Sequence, residues 1–67
     1  MREKLRHHRI LKGLTQEQIS GLIGINRATY TNIELGNKNP SLFVAIKIKE
    51  ILEYENDDIF LNKSIEK

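Results

Sequence analysis

Residues 15–40, TQEQISGLIGINRATYTNIELGNKNP, carry two short helical patterns hinged on Gly24. This feature constrains the chain most, because both helices have start and stop signals and almost nothing lies between them. Thr15 is placed to cap the first, with Gln18 three residues later able to complete a capping box. Ile19, Leu22 and Ile23 follow at i, i+3 and i+4, the spacing of one helical face. Gly24 ends the helix, Ile25 plugs the turn, and Asn26 caps the next. In that second helix Tyr30 and Ile33 point inward, leaving Arg27, Ala28, Thr31 and Asn32 on other faces. It stops near Gly36, and Gly36-Asn37-Lys38-Asn39-Pro40 is a loop by its turn residues.

The flanks read as helix too. Residues 2–12 form a first helix ending at Gly13, with Leu5, Ile10 and Leu11 as its apolar content and Arg9 near its inward stripe. Ser41 caps a fourth, where Leu42, Ala45, Ile48 and Leu52 recur at helical spacing. A fifth short helix is expected over 56–61, with Asp57 and Asp58 at the positive end of its dipole. No period-2 alternation runs longer than a few residues. The expected fold class is all-α: five short helices, crossing steeply, around one core. A single domain is expected over 1–67, with its core at about 5–61 and 62–67 as a flexible tail.

Size limits stability. A chain of 67 residues buries only about 60% of its unfolded surface. It has no cysteine, so neither disulfides nor thiolate metal sites reinforce it. Helix packing must supply the rest, with a partner subunit as a further source. No apolar run approaches the roughly 20 residues that span a bilayer, and MREKLRHHRI has no apolar signal core. A cytoplasmic location is expected. Net charge is +2, but residues 1–40 hold seven Lys/Arg against three Glu, and residues 41–67 four Lys against six acids. That asymmetry predicts one face for a polyanion and another for something else.

Catalytic and metal chemistry find no support. Neighbouring His7 and His8 point about 100° apart on a helix and cannot easily share one ion. There is no Ser-His-Asp arrangement, no Gly-rich phosphate loop and no plausible carboxylate pair, since Asp57-Asp58 is more simply a helix start. The expectation is a protein that is not an enzyme and carries neither metal nor cofactor.

The order Arg9, Thr15-Gln16, Ile19, Gly24-Ile25-Asn26, Ile33-Glu34, Gly36 and Pro40-Ser41-Leu42 resembles the phage repressor and Cro-like helix-turn-helix family, also called the XRE type. The likeness covers roughly residues 5–60. It implies a lambda repressor-like DNA-binding bundle whose third helix enters the major groove while the second crosses the backbone. By position it implies that Arg27, Ala28 and Asn32 meet bases, with Thr31 beside them. Chemically, Arg27 suits guanine O6 and N7, Asn32 suits adenine N6 and N7, and Ala28 suits a thymine methyl. Arg27 could alternatively clamp a phosphate.

Phosphate contacts are expected at both ends of the segment. Gln16 lies at a helix N-terminus, where free N–H groups and the dipole favour an anion. Asn26 is chiefly a cap with a possible second contact to phosphate, and Thr29 either bonds a phosphate or satisfies the helix backbone. In the loop, Asn37, Lys38 and Asn39 offer donors, one positive charge and exposed backbone N–H groups. The Tyr30 ring belongs in the core, leaving its hydroxyl to solvent, a phosphate or a buried acceptor. The resemblance also implies a partly buried ion pair between Arg9 and Glu34, whose disruption would cost about 3–5 kcal/mol if burial is deep.

Several positions depart from the family pattern. Ser20 replaces a usual alanine, Gly21 lowers helix propensity, and Leu22 sits where a polar residue is common. Lys49, Glu53 and Asn56 replace a small residue, a glycine and a hydrophobic residue. Ile51, Tyr54, Ile59, Phe60, Leu61 and Ile65 exceed what so small a domain hides easily; Ile59 belongs to the core, and Phe60 is open between core and surface. The expected dimer interface is therefore Ile51, Tyr54, Phe60 and Leu61. The expected function is a transcriptional regulator, a repressor, that binds a pseudo-palindromic operator on double-stranded DNA as a homodimer. The alternative keeps the fold and makes the principal partner a protein, as for an antitoxin or co-regulator.

Overall fold

The structure, a computed structural model, describes residues 1–61. Three of its helices begin where a short polar side chain closes the first turn. Thr15 Oγ1 accepts from the Gln18 N–H at 3.0 Å while Gln18 Oε1 accepts from the Thr15 N–H at 2.9 Å, completing the capping box. That box opens α2 (Gln16–Ile23). Asn26 Oδ1 accepts from the Thr29 N–H at 2.8 Å and opens α3 (Arg27–Leu35). Ser41 Oγ accepts from the Val44 N–H at 3.2 Å and opens α4 (Leu42–Leu52). Each cap satisfies a backbone donor that the helix itself leaves orphaned. The first helix, α1 (Glu3–Leu11), has no side-chain cap. Its entry is fixed instead by the Arg2 N–H, which donates to the Glu34 carbonyl at 2.8 Å.

Gly24 makes the sharp turn between α2 and α3. Its φ of +95° lies in the left-handed region, which L side chains avoid, and its N–H bonds back to the Ser20 carbonyl. Ser20 is buried, yet its hydroxyl donates to the Glu17 carbonyl at 2.9 Å. A serine therefore fits this contact without leaving a polar group unpaired.

The core comprises Leu5, Ile19, Ile23, Tyr30, Ile33, Val44, Ile48, Leu52 and Ile59, with Leu14, Ile25, Ile51, Tyr54 and Phe60 packed against its margin. All four α-helices and the C-terminal turn contribute, and no helix among the described residues is long and apolar enough to cross a membrane.

The structure corrects several expectations. The fifth α-helix is a four-residue 3-10 helix, Asp57–Phe60, so the described residues hold four α-helices. The backbone is already extended at Leu61, and four residues are too few to establish an α-helical ladder. On α4 the buried stripe is Val44, Ile48 and Leu52, whereas Leu42 is 79% exposed. The Ser41 cap makes Leu42 the first helical residue, six positions before Ile48 and so on the far face of a 3.6-residue period. On α1, Leu5 is buried but Ile10 and Leu11 are exposed; buried Arg9 occupies the inward position instead. Leu22 on α2 is also exposed.

Part of the charge asymmetry is closed by ion pairs between the two halves. Lys4 pairs with Asp58 at 2.9 Å and Lys12 with Glu53 at 2.8 Å, joining the basic and acidic halves across the surface. Arg2 and Arg9 are buried. The expected flexible tail over 62–67, and Ile65 within it, lie outside the described residues.

Candidate nucleic-acid interface

Glu34 organises the centre of the helix-turn-helix. Its side chain is fully buried near the C-terminal end of α3, a setting hostile to an unpaired charge. Arg9 of α1 answers with both ends of its fork, Nε to Oε2 at 2.8 Å and Nη2 to Oε1 at 3.1 Å. Gln16 Nε2 of α2 donates to Oε1 at 2.9 Å, and the Tyr30 hydroxyl donates to Oε2 at 2.7 Å. One carboxylate thus ties α1, α2 and α3 together.

Burial pushes the Glu34 carboxyl upward, but hydrogen bonds from Arg9, Gln16 and Tyr30 outweigh it, so the group titrates below its usual range. The Tyr30 phenol is pushed far up, first by burial and then by the neighbouring carboxylate. It remains a neutral donor. Of the three destinations open to the Tyr30 hydroxyl, the structure selects the buried acceptor.

Gln16 carries this network to the surface. Its Oε1 accepts from Thr31 Oγ1 at 2.9 Å, linking the start of α2 to the outward side of α3. Gln16, Arg27, Ala28, Thr31 and Asn32 line one shallow open depression. Arg27, Ala28 and Asn32 are exposed there, and Gln16 and Thr31 half-buried. Asn32 Oδ1 holds only a long 3.4 Å contact from Asn37 Nδ2, which a better partner could displace. Thr29 is half-buried and does not line the depression. The Asn26 side-chain oxygen is occupied by the cap, so any anion contact from this residue must use its amide nitrogen.

The loop after α3 differs from expectation. The N–H groups of Asn37 and Lys38 both donate to the Asn32 carbonyl, at 2.9 and 3.2 Å, and Gly36 caps the helix at φ +90°. These two amides are consumed in ending α3, so they are not free for an anion. Side chains remain: Asn37 and Lys38 are exposed, whereas Asn39 Oδ1 is held by Arg2 Nη2 at 2.7 Å.

Arg2 is the organising residue that sequence reasoning missed. It is 3% exposed and donates through Nε to the Phe60 carbonyl at 2.5 Å. Its Nη1 donates to the Ile33 carbonyl at 2.5 Å and the Lys38 carbonyl at 2.9 Å. A cation at the C-terminal end of α3 also complements the helix dipole. Burial lowers its pKa, but a guanidinium stays charged regardless. In MREKLRHHR no local signal separates this arginine from solvated ones.

The residues considered for a dimer surface are exposed only in part. Ile51, Tyr54 and Phe60 are partly buried against the core, and Leu61 is exposed. The His8 ring packs against Tyr54 at a centroid distance of 4.5 Å, and the Tyr54 hydroxyl donates to Asp58 at 2.8 Å. A further exposed apolar row is Leu42, Phe43 and Ile46 on α4, of which the sequence pattern placed Leu42 inward.

Comparisons agree with this architecture. The helix-turn-helix family model matches residues 5–58. A protein of Methanocaldococcus jannaschii named as an uncharacterised HTH-type transcriptional regulator is 39% identical over 61 residues, covering 91% of this chain and 92% of its own. A Bacillus subtilis protein of the same description is 44% identical over 55 residues, covering 82% and 72%. One from Methanothermobacter thermautotrophicus is 40% identical over 62 residues, covering 91% and 90%. No solved structure matches.

Proposed function

The chain belongs to the XRE-type helix-turn-helix family of transcriptional regulators, and from that premise we propose that it is a repressor that reads a pseudo-palindromic operator as a homodimer. In this reading α3 enters the major groove and α2 crosses the backbone. Arg27, Ala28, Thr31 and Asn32 meet base edges. Gln16, Asn26, Thr29, Asn37 and Lys38 hold phosphates around them. Gln16 keeps one amide hydrogen for this purpose, because the other is committed to Glu34. The protein acts in the cytoplasm, where bound repressor excludes transcription machinery from the operator.

One observation carries the reading: Gln16, Arg27, Ala28, Thr31 and Asn32 converge on one open depression although two helices supply them. Exposed Arg27 and Asn32 flank the relay from Thr31 through Gln16 to Glu34, which places donors and acceptors of two helices on one accessible surface. Homodimerisation is proposed through Ile51, Tyr54, Phe60 and Leu61; reading a twofold operator requires such a dimer to hold two copies of α3 about 34 Å apart along one DNA face. Selection of bound sequences from random duplexes tests sequence reading, half-site spacing and symmetry together. The expected result is two inverted half-sites with centres about one helical turn apart. Recovery of no preferred sequence overturns the reading.

A second reading has one observation in its favour. Leu42 and Phe43 are 79% and 63% exposed on α4, and Ile46 adjoins them, an apolar row suited to a protein partner. It requires that function survive loss of Arg27 and Asn32. Full activity of the doubly substituted protein in a reporter strain would favour a protein-interaction module.

A further inference from the structure

We propose that Thr31 acts as an obligate hydrogen-bond acceptor toward DNA, selecting an amino base, adenine or cytosine, over a keto base, guanine or thymine, at one position of each half-site. The proposal rests on the reading that α3 lies in the major groove. Its basis is the direction of a hydrogen-bond chain that starts in the core.

Glu34 is a buried carboxylate surrounded by donors: Arg9 Nε and Nη2, the Tyr30 hydroxyl and Gln16. An ionised carboxylate only accepts, so the Gln16 amide must turn its NH2 toward it. The other end of the same planar amide, Oε1, then faces Thr31 Oγ1 at 2.9 Å. That oxygen has no proton to give. Thr31 must therefore supply the proton, and the relay runs from Thr31 to Gln16 to Glu34 in one direction only.

A free threonine hydroxyl rotates to donate or accept as its partner requires, and so discriminates poorly. Here the proton is committed, and Thr31 presents only lone pairs and a methyl group to whatever enters the depression. In the major groove adenine N6 and cytosine N4 are donors, whereas guanine O6 and thymine O4 are acceptors. An amine completes a hydrogen bond to Oγ1, and a keto oxygen in the same place meets a second acceptor. Every base pair has one amine and one keto oxygen on this edge. Thr31 thus reports which strand carries the amine without separating adenine from cytosine.

The test measures affinity of the full chain for its selected operator and for duplexes altered at single positions. At one half-site position, exchanging the amino base for a keto base should weaken wild-type binding by about fivefold or more. Deleting the amine alone, with purine in place of adenine or 2-pyrimidinone in place of cytosine, should weaken it similarly. Thr31→Val should abolish both effects at that position and leave other positions discriminated. Thr31→Ser, which keeps the hydroxyl, should preserve them. A keto preference at the Thr31-dependent position, or a Thr31→Val protein with an unaltered profile, overturns the acceptor assignment while operator reading stands. Absence of any sequence preference in the wild type overturns both.

Discussion

Tyr30 and Glu34 lie one turn apart on α3 and meet in the core through a 2.7 Å hydrogen bond, phenol to carboxylate. The proposed recognition helix thus carries its own donor for the charge that ties it to α1 and α2. Tyr30→Phe keeps the ring's packing and removes only this donor. A hydrogen bond to a charged group contributes roughly 1.5–3 kcal/mol. The expected loss of unfolding free energy in urea is of that size, with an unchanged slope against denaturant. A loss below about 0.5 kcal/mol would mean that Arg9 and Gln16 satisfy Glu34 unaided.

The same carboxylate gives stability an acid limit. Its folded-state pKa lies below the ordinary value of 4.5, so the folded state binds the proton less readily than the unfolded state. The stabilisation is fully present above the unfolded value and disappears as pH falls below it through the folded pKa. Unfolding free energy measured downward from pH 6 should therefore hold and then fall. In Glu34→Gln, destabilised throughout, this part of the fall should be absent. An acid limb of equal steepness in both proteins would place its origin elsewhere.

The sequence makes some of this architecture legible and hides the rest for physical reasons. The caps Thr15, Asn26 and Ser41, the turn at Gly24 and the buried Ile19, Ile23, Tyr30 and Ile33 are local events, governed by residues within about a turn of one another. On α4 the steps Leu42-Ala45-Ile48 drift around the helix while Val44-Ile48-Leu52 hold one face, and tertiary packing takes the second set. Arg2 was invisible because its acceptors lie 31 to 58 positions away. The link from Thr31 through Gln16 to Glu34 likewise needs two helices already folded together. Long-range polar closure has no period for a sequence to display.

Two glycines of opposite character stand within α2 and at its C-cap. Gly21 is helical and exposed, and a Cβ added there meets nothing within 4 Å. Gly21→Ala should stabilise the protein by up to about 1 kcal/mol, the difference in helix propensity. A Cβ at Gly24 also meets nothing, yet its φ is +95°. Gly24→Ala should destabilise by about 1 kcal/mol or more, from backbone strain alone. Thermal melts of the two variants should shift in opposite directions, and shifts of the same sign would contradict the argument.

Arg2 should be needed for the loop after α3 as well as for stability. Arg2→Met keeps much of the aliphatic stem but abandons the carbonyls of Ile33, Lys38 and Phe60 and the Asn39 side chain. The Ile33 carbonyl keeps the Gly36 N–H, and the other acceptors are only partly buried. Each lost bond therefore costs about 1 kcal/mol, toward the low end of the range for groups left unsatisfied. An overall loss of roughly 3 kcal/mol is expected. Amide exchange at Asn37 and Lys38 should accelerate beyond what the global loss explains, because the loop loses its internal clamp. Exchange rates that follow global stability alone would reduce Arg2 to a packing role.

Asn32 and Lys38 should fail in different ways when removed. Asn32 lies in the depression with a weakly held amide, suited to bidentate pairing with adenine N6 and N7. Asn32→Ala should relax preference at one operator position and leave the salt dependence of binding intact. Lys38 is exposed on a loop whose backbone amides are already engaged, so charge is its principal contribution. Lys38→Ala should weaken all sequences alike and reduce the slope of log affinity against log salt by about one unit. The contrast separates readout from attraction, since a base contact releases no counterion and a phosphate contact carries no sequence. Equal, sequence-uniform losses in both variants would remove Asn32 from the reading face.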